Sequence, residues 1–67
     1  MSIVKVIEVI AQSPKSWEDA TQLALKEVSA TVRHIQSIYI DDLQAIVEKN
    51  KIVKYRIHAK ISFVIEK

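Results

Sequence analysis

From Tyr55 to Ile65 every second residue is apolar, in the order Tyr55, Ile57, Ala59, Ile61, Phe63 and Ile65. Up to Ser62 the residues between them are polar, Arg56, His58, Lys60 and Ser62, with Lys54 ahead of them in the same phase. A helix would scatter both sets around its circumference, whereas a strand has a side-chain period of two and sorts them onto opposite faces. The stretch KYRIHAKISFVIE therefore predicts the body of a long half-buried strand running from Ile52 to about Glu66. One face belongs to a core. The other carries a row of bases spaced roughly 7 Å apart, the distance between alternate strand residues.

The remaining segments must supply what that strand packs against. Ile3 to Ile10, IVKVIEVI, is short and β-branched and is bounded by AQSPKS, so it reads as a first strand interrupted by Lys5 and Glu8. A helix starts at SPKSWEDA. Ser16 and Asp19 stand at the spacing of a capping box, and Glu18 and Asp19 place negative charge where the helix dipole favours it. From Trp17, the residues Ala20, Thr21, Ala24, Val28, Thr31, Val32 and Ile35 recur on one stripe, which predicts four to five helical turns. Arg33 and His34 then fall at its C-terminal end. The stripe is small where Ala20 and Ala24 lie, so the helix is expected to sit close to a sheet.

A second strand follows in SIYIDDLQAIV, but its apolar set changes phase from Ile38 and Ile40 to Leu43, Ala45 and Val47. A regular strand would send one of these sets to the wrong face, so a bulge is expected at Asp41-Asp42. EKNK is the hairpin turn, with Asn50 suited to a left-handed conformation in a chain that has no glycine. The expected fold is α+β in the order β-α-β-β. A three-stranded antiparallel sheet packs against one helix, and residues 1–67 form one domain.

At 67 residues with no cysteine, such a domain lacks disulfide staples and buries too little of its surface to be stable with ease alone. Oligomerisation is the remaining way to cover its apolar surplus. No charge-free run approaches the length of a membrane helix and the N-terminus lacks a signal peptide's apolar core, so a cytoplasmic home is expected. Net charge is only +2, which permits nucleic acid without implying it. No cysteine nucleophile, serine elbow or glycine-rich phosphate loop is present, and no enzyme is expected.

Two acidic pairs remain as candidate oxygen ligands for a hard cation such as calcium, Glu18 with Asp19 and Asp41 with Asp42. Each also has an ordinary role, in helix capping and in solvating a bulge. The row Lys54, Arg56, His58 and Lys60 suits a phosphate backbone, a charged cavity wall or a subunit contact. It lacks the interleaved aromatics of a single-strand-binding face.

Taken together, KVIEVIAQSPKSWEDA, TVRHIQSIYI and KYRIHAKISFVIE resemble dodecin over nearly the whole chain. The resemblance implies a homo-oligomeric binding or storage protein, a hollow dodecamer, whose usual ligand is a flavin such as FMN or riboflavin. It also implies that the flavin-stacking tryptophan of the second strand is replaced here by Ser37, and the flavin-bonding glutamine of the last strand by Arg56. A serine offers no π-face. Flavin binding is accordingly expected to be weak or absent, and the sequence is more similar to the flavin-poor, calcium-binding branch. Arg56 would favour an anionic ligand. A flavin site with an altered pocket and a nucleic-acid-binding basic face are the alternatives.

Overall fold

The computed structural model describes residues 3–65. Strand β1 spans Ile3–Ser13, helix α1 Trp17–Ser29, β2 Ile35–Glu48 and β3 Lys51–Ile65. The sheet order is β1-β3-β2, with both neighbours antiparallel to β3. The strand whose alternation is cleanest is thus the central one, where each face must be specified along most of its length. Glu66, the expected end of that strand, lies outside the described residues.

One face of β3 is dry. Ile57, Ala59 and Ile61 are fully buried together with Ala20 of α1, and Val9, Ala11, Trp17, Ile38 and Ile40 pack around this centre. Alanine at 20 and 24, both buried, lets the helix axis approach the sheet, as the small stripe implied. Trp17 closes one end. Its Nε1 donates to the Gln44 carbonyl at 2.9 Å, and its ring meets the Tyr55 ring edge-on at 4.9 Å. The indole thereby keeps its polar atom satisfied while it joins the helix start to β2 and β3.

Several sequence expectations change in length. The first strand continues three residues past Ile10, to Ser13. The helix stops at Ser29 and not near Ile35, with Ala30 as its C-cap. Thr31 and Val32 close one further turn onto the Val28 carbonyl, and His34 then reverses the chain at φ 62°. Ile35 is taken by β2, where it pairs with Phe63. Two β-branched residues in succession are poor helix formers, and the sheet pairing outweighs the periodicity. Arg33 and His34 therefore lie beyond the helix, and Lys26 is the base in its last turn.

The bulge and the turn fall where expected. Ile40 pairs with Ala59 and Asp42 with His58, which leaves Asp41 as the extra residue. By this insertion Ile38 and Ile40 before it, and Leu43 and Ala45 after it, all stand opposite the apolar set of β3. Lys49 and Asn50 have φ of 53° and 64°, the paired left-handed residues of a type I′ hairpin.

The protomer is 51 Å long but only 20 by 13 Å in its other extents, because the β2–β3 hairpin projects beyond the helix. Ile10, Tyr39, Leu43, Val47 and Ile52 are left more than half exposed. No helix among the described residues is long and apolar enough to cross a membrane.

Candidate functional site

The second face of β3 is built differently. Its side chains Arg56, His58, Lys60 and Ser62 meet residues of the same phase on both flanking strands. On the β1 side Gln12 pairs with Arg56, Ile10 with His58, Glu8 with Lys60 and Val6 with Ser62. On the β2 side Gln44 pairs with Arg56, Asp42 with His58, Tyr39 with Lys60 and Ser37 with Ser62. The basic row read from β3 alone is therefore flanked by acids once the sheet is assembled. Glu8 comes from one side, and Asp41 and Asp42 from the other.

The bulge decides where these acids stand. A regular β2 would alternate its two aspartates between faces, but the extra residue brings Asp41 onto the open face beside His58 and Lys60. Asp41 Oδ2 lies 3.5 Å from His58 Nδ1 and 3.8 Å from Lys60 Nζ, with about a quarter of the Asp41 side chain accessible. Glu8 reaches across β3 from the opposite edge. One ligand atom each from Glu8, Asp41 and His58 lie within 4.8 Å of one another. Two carboxylates and an imidazole from three different strands form a set that suits a divalent cation.

The other expected site residues are distributed differently. Asp19 is engaged in the helix start, where its Oδ2 accepts from Ser13 Oγ at 2.6 Å and its backbone N–H donates to Ser16 Oγ at 2.9 Å. The cap is thus half of the expected box, with the acid turned to buried Ser13. Glu18 is exposed in the first turn. Asp42 borders a hollow of about 270 Å³ with Ile10, Gln44, Arg56 and His58. There Arg56 Nε donates to Gln12 Oε1 at 3.2 Å.

Ser37 is hydrogen-bonded to Ser62 across the β2–β3 pair, beside a second hollow of about 460 Å³ lined by Leu25, Ser29, Ile35, Gln36 and Ile38. Ser62 is roughly 20 Å from Arg56 along β3, at about 3.4 Å per residue. Ser37 and Arg56 do not converge within one chain.

Glu8 was the member that sequence reading missed. In IVKVIEVI it interrupts an apolar run, and only its shared phase with Val6, Ile10 and Gln12 marks it as facing the open side of the sheet.

A long antiparallel sheet packed on one short helix, with apolar residues left exposed, defines a class of small β-α-β-β domains. The Dodecin family model matches residues 3–66, and the chain belongs to this family. It is 33% identical over 63 residues to calcium dodecin of Mycobacterium tuberculosis, covering 94% of this chain and 89% of that one. The crystal structure of that calcium-chelating antigen matches with a TM-score of 0.84 at 30% identity, covering 96% of this chain and 91% of the other. A Thermus thermophilus dodecin matches with a TM-score of 0.94 over the full length of both chains, at 21% identity.

Proposed function

We propose that this chain is the subunit of a hollow homo-dodecamer that binds or stores a divalent cation on the open face of its sheet. It works in the cytoplasm and without catalysis. The observation that carries the cation reading is the convergence of Glu8, Asp41 and His58 within 4.8 Å. The mycobacterial relative at 33% identity is a calcium dodecin, which favours an ion over a flavin. Glu18 and Asp19 are a weaker choice, because Asp19 is already committed to Ser13 and the helix cap.

Assembly is supported by the shape and surface of the protomer. Ile10 is 68% exposed, Tyr39 64% and Leu43 59%, on a chain too slender to cover them itself. Contacts between subunits would take these side chains out of water. Flavin in the family's usual mode is disfavoured by Ser37, whose hydroxyl is turned to Ser62 and offers no stacking surface. An anion at Arg56 is opposed by Asp42 on the wall of the same hollow. The interleaved acids of the open face weigh equally against a nucleic-acid backbone.

Native mass spectrometry with and without a chelator tests both parts. The expected spectrum is a dodecamer carrying ions that the chelator removes. A bare monomer would end the assembly reading, and an ion-free dodecamer the cation reading. Riboflavin fluorescence should be unquenched at submicromolar protein, and yellow protein from the column would reverse the flavin expectation.

A further inference from the structure

The donor set on the open face is specific enough to choose between classes of cation. We infer that Glu8, Asp41 and His58 form a site for a borderline divalent transition metal of the zinc class, in preference to calcium. The inference rests on the proposal that this face binds a cation, and it names which kind.

The first reason is donor chemistry. Calcium takes six to eight oxygen ligands and gains little from an imidazole nitrogen. Here one of three converging donors is His58, and the two carboxylates supply at most about four oxygens even if both bind through two. Zinc is served by one nitrogen and two carboxylate oxygens, with a fourth tetrahedral position open to water.

Geometry is the second reason. Ligands at about 2.1 Å from a tetrahedral ion stand about 3.4 Å from one another. His58 Nδ1 and Asp41 Oδ2 are already 3.5 Å apart, and no separation in the set of three exceeds 4.8 Å. Rotation of the exposed Glu8 side chain is enough to close the remainder. A calcium shell, with bonds of about 2.3 to 2.6 Å and more ligands, would need additional oxygens.

Lys60 gives the site an internal competitor. Its ammonium is 3.8 Å from Asp41 Oδ2 and occupies part of the field that an arriving cation would take. Metal binding must displace this ion pair, so Lys60 weakens the site without contributing a ligand.

The test is isothermal titration of the intact oligomer with zinc chloride and, separately, calcium chloride. It is paired with the visible absorption of cobalt(II) added in place of zinc. Wild-type protein should bind zinc at least ~100-fold more tightly than calcium, and cobalt should develop the intense bands of a low-coordinate nitrogen-oxygen site. His58→Gln and Glu8→Gln should each weaken zinc by ~100-fold or more, beyond the ~10–100-fold typical of an outer-shell partner. Lys60→Met, which removes the competing ammonium, should tighten it.

Calcium binding as tightly as zinc, with no effect of His58→Gln, would overturn the metal class while leaving the cation reading intact. Failure of both ions to bind would remove the cation reading and the metal class together. Zinc binding that survives His58→Gln and Glu8→Gln in correctly assembled protein would also overturn the site. Where a variant does not assemble, the cobalt spectrum of the unaltered protein decides the metal class, and only weak bands of an all-oxygen octahedral site would overturn it.

Discussion

Ile57 and His58 are consecutive in β3, yet one is sealed beneath the helix and the other stands among charges on the open face. On the helix side, the interactions are non-directional. Ile57, Ala59, Ile61 and Ala20 are fully buried, and their contribution follows area removed from water and the fit of the helix to the sheet. On the open side the groups are partly hydrated. Ion pairs such as Asp41 with Lys60 contribute only about 0–1 kcal/mol to stability there. The difference teaches that a strand divides its residues by parity, with a packed apolar core on one face and partly hydrated charges on the other.

Substitutions along β3 and its helix should break or sharpen this division. The largest effect is expected from Ile57→Ala, a cavity at the centre of the dry face costing about 2–5 kcal/mol. Urea denaturation at fixed chain concentration reads it, and a loss below about 1 kcal/mol would show that the core relaxes freely. Ala20→Leu comes next. The close helix leaves no room for the added methylenes, and overpacking should cost about 1–3 kcal/mol. A stabilised variant would mean that the helix can lift from the sheet at no expense.

Ser16→Ala removes the acceptor for the Asp19 N–H and should cost about 1 kcal/mol. Because Ser13 still holds the Asp19 carboxylate, the helix start should remain in place by circular dichroism. Smallest of all is His58→Gln, one residue from Ile57, with an expected change in stability within about 0.5 kcal/mol. The same variant should abolish tight metal uptake. Loss of folding in His58→Gln would show that the two faces are not energetically separate.

Much of the fold was legible because its signals are local. The alternation in β3 identifies two faces without knowledge of any partner. The phase change at Asp41-Asp42 announces a bulge because the apolar residues on each side must share one core. Lys49 and Asn50 take up the turn because the tail of one strand and the head of the next leave two residues between them. The helix end was less legible. Thr31, Val32 and Ile35 continue the helical spacing, but Ile35 gains more by pairing with Phe63 than from another turn of helix.

The candidate site was legible only in part. Asp41 stood out as half of an acidic pair and His58 as a member of a polar row, whereas Glu8 looked like a flaw in an apolar strand. Ser37 and Arg56, the positions matched to the family's flavin pocket, lie on β2 and β3, with Ser37 paired to Ser62 roughly 20 Å along β3 from Arg56.

Sequence by itself determined which residues of β3 face inward and outward, where the second strand bulges and where the hairpin turns. Each of these depends on side-chain period or on backbone preference within a few residues. Tertiary structure alone decided that β3 lies between β1 and β2 in a register that brings Glu8 and Asp41 to His58. Register is a relation between strands distant in the chain, set by the packing of Val9, Ala11 and Ile40 with the β3 core against the helix. The charges on the far face are carried into position by a fit made on the near one.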